Sequence, residues 1–219
     1  MTNWNVLRAA GIGSYVMLFL SVAWGLVSTT TPFGKWISKP SSTLVHQFMS
    51  TCGLFLLGVH VGALLIDGYM PFGFADLFVP MSSTYRPVAV TLGIVAMYAL
   101  VVVIVASWLR KPIGTTWWRR THLLAIPTFT LSLLHGVLAG TDSARSVMWW
   151  TYVGSGLVIV FLVVVRALTI GLRPERKALP AHARPAAELA TPAQVARGLN
   201  QGRPARQVPP VVPWPLGTR

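Results

Sequence analysis

The chain has 219 residues, 53% of them hydrophobic and 11% charged, with a mean hydropathy of +0.61 and a formal net charge of +13. This composition excludes an ordinary soluble domain and points to an all-α, polytopic membrane helical bundle. The positive charge reads as a topology signal and an attraction to anionic lipid. No nucleic-acid partner is expected, because no basic–aromatic recognition pattern accompanies it.

Five apolar runs are long enough to cross a bilayer, a span needing about 20 residues. They are Ala9–Val27, Leu44–Ile66, Val88–Leu109, Leu123–Ala139 and Val147–Ile170. The first lacks a basic leader and a cleavage site, so it reads as a span and not as a cleavable signal. The second carries His46, Cys52, Gly53 and His60. A lone cysteine cannot form an intramolecular disulfide, bind an iron–sulfur cluster or attach a c-type haem, and reads as a packing residue. His46, Gly53 and His60 are seven apart and so drift little around the helix. Gly53 has two open readings: room between two bound macrocycles, or close approach of a neighbouring helix.

Between the second and third spans, Pro71–Pro80 is too apolar for a free loop and too short to cross, so an interfacial segment is expected. The fourth run is short and is completed by extension back through Arg120 and His122. Thirteen residues of ideal helix leave His122 and His135 about 140° apart. Pro127 between them is expected to kink the helix or rewind it toward 3₁₀ geometry. Trp117, Trp118, Trp149 and Trp150 flank spans as interfacial anchors. After Gly171 the composition changes: residues 172–219 hold nine prolines, eight basic residues and two acidic ones. Such a segment cannot fold alone. The expected division is therefore a membrane domain over 1–171 and a basic, proline-rich tail over 172–219. The tail would be disordered or docked on a partner, with one short helix opening at Thr191.

Lys35 and Lys39 follow the first span, Arg110, Lys111, Arg119 and Arg120 the third, and most remaining basic residues the fifth. The positive-inside bias then sets the N-terminus outside and the C-terminus in the cytoplasm. The second and fourth spans run parallel, so His46 pairs with His122 near the inner face and His60 with His135 near the outer one. On the second span, His46 and His60 lie about 21 Å apart along the axis.

An ionisable side chain inside a bilayer is costly and marks function. Four histidines in matched pairs, with none on the other spans, read as ligands. A proton or solute transporter would place acids in the pathway, and no span interior has one. Zinc needs about four converging ligands. A chlorophyll-type magnesium generally takes one axial ligand. Imidazoles facing in pairs favour six-coordinate iron, hence two b-type haems. Haem propionates need cationic partners at the membrane faces. Arg110, Arg119 and Arg120 are placed for the inner haem, and Arg8, Tyr85 and Arg86 for the outer one; the alternative for each is interfacial anchoring.

At these residues the chain resembles the ferric reductase-like transmembrane domain superfamily. That group includes ferric reductases, NADPH oxidases and the haem membrane subunit of bacterial periplasmic methionine sulfoxide reductase systems. The resemblance rests on the thirteen residues between His46 and His60 and the twelve between His122 and His135. It also rests on Leu7-Arg8-Ala9-Ala10-Gly11, Tyr85-Arg86-Pro87, Ser107-Trp108-Leu109-Arg110, Trp117-Trp118-Arg119-Arg120-Thr121-His122, Leu134-His135-Gly136 and Gly140-Thr141-Asp142. It covers about residues 4–170. It implies a multi-pass protein of the bacterial inner membrane with two stacked b haems passing single electrons, and Arg8 beside the outer haem near the acceptor. Two departures matter: many relatives have six spans, and many carry an FAD- and NADPH-binding region. Residues 172–219 have no strand–glycine-loop–helix pattern. The donor is therefore expected to be a separate flavoprotein, a quinol or another subunit, and the chain an electron-transfer subunit of an oxidoreductase. The alternative is an assembly or scaffold subunit of a larger membrane complex, docked through its tail, with empty or degenerate haem sites.

Overall fold

A bilayer offers no water to backbone N–H and C=O groups, so a chain this apolar can cross it only where those groups are paired internally. The computed structural model pairs them in helices. It describes residues 3–29, 38–68 and 72–171, all within the first of the chain's two units, Met1–Arg173. The expectations for Lys35, Pro71 and the tail from Leu172, with its short helix at Thr191, fall outside those residues.

Seven helices form among the described residues: α1 (Asn3–Thr29), α2 (Lys39–Leu65), α3 (Phe74–Phe78), α4 (Pro87–Trp108), α5 (Arg110–His122), α6 (Ala125–Ala139) and α7 (Ser146–Gly171). Of these, α1, α2, α4 and α7 are each long and apolar enough to cross a membrane, and α5 with α6 makes a fifth if that bent pair is one span. The result is an all-α bundle of four to five long apolar helices, consistent with a polytopic membrane protein.

Local signals account for several boundaries. Ser38 caps α2 by accepting from the Ser41 backbone N–H at 3.3 Å, with Pro40 in the first turn, where its missing donor costs nothing. Gly73 opens α3 and donates its N–H to the Asp76 carboxylate at 2.9 Å. That short helix buries Leu77 while Phe74, Phe78 and Val79 stay exposed, the apolar outer surface expected of an interfacial segment. Pro87 starts α4. Arg86 before it adopts a left-handed φ of 41°, and its guanidinium donates to the Leu138 carbonyl. Tyr85 donates its hydroxyl to the Ala139 carbonyl at 3.4 Å. Both therefore satisfy carbonyls that the C-terminal end of α6 would leave unpaired.

The region after the third span needs a correction. The basic stretch from Arg110 is a thirteen-residue helix, interrupted only at Gly114, whose φ of 78° and ψ of 163° lie in a region open essentially to glycine. The fourth span is not one helix extended back through His122: α5 and α6 meet at a 41° bend. The break falls at Leu123–Leu124, one turn before Pro127. Proline has no N–H to give the Leu123 carbonyl and its ring crowds that carbonyl. Ile126 N–H binds the same carbonyl instead at 3.2 Å, and Leu124 N–H binds Thr121 O at 3.0 Å, both three residues apart. With ψ of −20° and −15°, Leu123 and Leu124 are wound tighter than α-helix.

In the packing, α1 lies along α2 and also touches α6 and α7, while α4 lies along α6 and touches α5. Tyr15, Val22 and Leu26 of α1, Phe129 of α6 and Tyr152 and Ile159 of α7 form a buried cluster. Tyr15 stacks on Phe129 at 5.8 Å, meets Tyr152 edge-on at 5.3 Å, and shares a 2.5 Å hydrogen bond with Ser155. No comparable packing joins α2 to α6. The histidines lie on three helices, His46 and His60 on α2, which packs along α1, His122 at the end of α5, and His135 on α6, which packs along α4.

Candidate functional site

The four histidines come together as two pairs. His46 of α2 and His122 at the end of α5 meet edge-on, with ring centres 5.9 Å apart and planes at 65°. His60 lies within electrostatic reach of His135 of α6. The tight turn at Leu123–Leu124 lies between His122 and His135. Each residue wound toward 3₁₀ geometry adds about 20° of rotation, so two recover about 40° of the phase mismatch.

Three of the four imidazoles are anchored alike. The Nδ1 of His60 lies 3.0 Å from the Leu7 carbonyl, that of His135 2.7 Å from the Ala89 carbonyl, and that of His46 3.1 Å from the Ser21 carbonyl. A carbonyl only accepts, so each Nδ1 carries the proton and each Nε2 keeps its lone pair free. Histidines that bind metals are held in this way by their far nitrogen. The Ser21 hydroxyl is also 3.2 Å from His46 Nδ1 and 2.7 Å from the Ser50 hydroxyl, which donates to the His46 carbonyl at 2.8 Å. Proton order follows: Ser50 gives its proton to His46 O, Ser21 gives its own to Ser50, and Ser21 Oγ is left to accept from His46.

His122 differs. Its Nδ1 is buried without a hydrogen-bond partner, and the ring is held by Trp118 at 5.3 Å between centres. Trp118 in turn carries the Arg110 guanidinium 4.1 Å above its ring.

Glycines let the anchored rings reach their carbonyls. A Cβ on Gly11 would lie 2.8 Å from His60 Nδ1, and one on Gly93 would lie 2.7 Å from His135 Nδ1. At Gly25 the nearest His46 atom would be 3.6 Å away, an ordinary contact. In every case the glycine sits four residues after the accepting carbonyl. Gly53 is turned to α1, where a Cβ would lie 3.2 Å from Met17 Cβ. Of its two readings, this position matches the close approach of a neighbouring helix.

The basic residues divide. Arg8 pairs with Asp142, which also binds Arg145 Nε at 3.2 Å, and Arg8 Nε is buried without a partner. Arg86 is used on the end of α6. Arg110 covers Trp118 and Arg120 covers Trp117 at 5.2 Å, while Arg119 is exposed on α5. Arg110 thus reaches the His46/His122 pair through one ring, and Arg120 and Arg119 lie on the same helix as His122.

The donor set can be tested against a bound metal. With metal–nitrogen bonds of about 2.0 Å and about 1.1 Å from nitrogen to ring centre, two imidazoles on opposite sides of one ion have centres about 6.2 Å apart. The 5.9 Å of His46 and His122 fits that spacing. Among the described residues no group of three or more His, Cys, Asp or Glu converges on one point. A pair of axial imidazoles requires no such group, since a macrocycle supplies the other donors.

The sequence reading missed Ser21, Ser50, Gly11, Gly25 and Gly93. One signal was available: Gly11 and Gly25 are fourteen apart, as are His46 and His60. Equal intervals on two antiparallel helices stay in register. No family model, curated protein or solved structure matches the chain.

Proposed function

We propose that the chain is a membrane electron-transfer subunit that holds two b-type haems, one between His46 and His122 and one between His60 and His135. The observation that carries this reading is three intramembrane imidazoles fixed on backbone carbonyls in the tautomer that leaves Nε2 free, with the rings of His46 and His122 in contact. Haem iron takes histidine as a standard axial ligand and would supply one-electron chemistry. The protein's part is to fix the ligands, exclude water and balance the propionates. Trp118, Arg110, Arg119 and Arg120 would serve the His46/His122 site, and Arg8, Tyr85 and Arg86 the other.

In this reading the chain belongs with the ferric reductase-like transmembrane domains and lies in a cell membrane of the bacterial inner type. Its N-terminus is outside and its C-terminus is in the cytoplasm. The electron donor is a separate flavoprotein, a quinol or another subunit. The division into a membrane domain over 1–171 and a tail over 172–219 is part of the same proposal, with the tail as the docking segment for a larger complex.

The test is haem content. The full chain, expressed with ample haem and purified in detergent, is expected to bind two b haems per polypeptide with low-spin spectra. His46→Ala and His135→Ala should each lower that to one. A wild-type chain without haem would overturn the reading and favour the scaffold role.

A further inference from the structure

Three histidine rings rest on a shared device. In each, the imidazole lies over a glycine of a neighbouring helix and its Nδ1 reaches the carbonyl one turn earlier: His60 on Gly11 and Leu7, His46 on Gly25 and Ser21, His135 on Gly93 and Ala89. In a helix that carbonyl already accepts the glycine's own N–H, and its second lone pair remains for the imidazole. The ring can reach it only by lying against the helix backbone, in the space a Cβ would occupy. The fit is tightest at Gly11, with ring atoms 2.8 and 2.9 Å from the Cβ position, and at Gly93, with ring atoms at 2.7, 2.8 and 3.1 Å. Both serve the same pair of histidines. The other pair has one such seat, the looser one at Gly25, and its second ring, His122, has none.

On the haem reading above, we propose that Gly11 and Gly93 are the positioning residues of the His60/His135 site, setting ring orientation and tautomer so that both Nε2 atoms point at one iron. An alanine at either position must push the imidazole off its carbonyl. Helix backbone cannot give way as the far end of a flexible side chain can, so the ring is what moves. Ligand placement tolerates only about 0.5 Å of error. The His46/His122 site, which uses neither glycine, should be unaffected.

The experiment uses the full chain in detergent and counts haem per polypeptide while reading spin state by absorption and electron paramagnetic resonance. Gly11→Ala and Gly93→Ala should each reduce two low-spin haems to one, or turn the second high-spin and make it recoverable with free imidazole. Gly58→Ala should keep both, since a Cβ at position 58 meets nothing within 4 Å. Two unaltered low-spin haems in both Gly11→Ala and Gly93→Ala would overturn the proposal. A wild-type chain without haem would overturn it at its foundation, a result distinct from a glycine variant that simply behaves like wild type. Should Gly93→Ala yield no monodisperse protein, Gly93→Ala/His135→Ala decides. Recovery of the folded protein supports a clash with the ring, and continued failure overturns it.

Discussion

Pro127 should be needed for haem binding at the His46/His122 site and not for stability. Its missing N–H and its ring hold the Leu123 carbonyl in a three-residue bond to Ile126, and the break between α5 and α6 follows. Pro127→Ala supplies the donor that would bind Leu123 O in a regular helix. Helix α6 is fixed by Phe129 and Thr128, which are 2% and 1% exposed, so α5 is the part that turns. Rewinding two residues from about 120° to about 100° each rotates His122 by about 40°. At a side-chain radius of about 6 Å that moves the ring by about 4 Å, well beyond the roughly 0.5 Å a ligand geometry tolerates. The variant should bind one haem instead of two while its haem-free form unfolds in denaturant no earlier than wild type, since alanine is the better helix former. Two haems in Pro127→Ala with wild-type spectra would refute the link from proline to break to ligand phase. A haem-free form that unfolds much earlier would show that Pro127 acts through packing.

Phe129→Ala should cost about 2 kcal/mol, the cavity part alone for about 100 Å³, because lipid is as apolar as the core and the usual transfer term drops out; denaturation in detergent measures it. Asp142→Ala leaves the part-buried Arg8 without its carboxylate and should destabilise by about 1–3 kcal/mol. Arg145→Ala, at a side chain 75% exposed, should stay within about 0.5 kcal/mol in the same assay. Gly114→Ala forces an L side chain into a glycine-only conformation and should cost about 1–3 kcal/mol, read as a lower thermal midpoint.

The sequence was most legible where one physical requirement dominates. Bilayer thickness fixes span length, and α1, α2, α4 and α7 cover the four strongest apolar runs. Two histidines on each of two runs read as parallel spans leave one sensible pairing, and the rings of His46 and His122 do meet. The helix α5 was less legible. Its polar, basic sequence with Pro112 and Gly114 lacks both the apolar period of a buried helix and the length of a span, so it read as a connecting segment. Pro127 signalled a break, yet its effect lies one turn upstream because proline acts on the carbonyl four residues earlier. The glycines under the rings were hidden for another reason. Glycine is common in membrane helices, and what singles out Gly11 and Gly93 is a side chain from a different helix lying where a Cβ would be. Ser21 was likewise hidden, because its backbone carbonyl and not its residue type does half of the holding.

A two-haem relay must carry electrons across a sealed membrane. The purified, haem-loaded chain is reconstituted into liposomes that enclose ferricyanide, and dithionite, which does not cross the bilayer, is added outside. The enclosed ferricyanide should be reduced in proportion to the protein present, and the reduction should be lost in His46→Ala and in His135→Ala alike because either gap interrupts the path. No reduction by a chain carrying two haems, or reduction that persists when either histidine is removed, would contradict the relay.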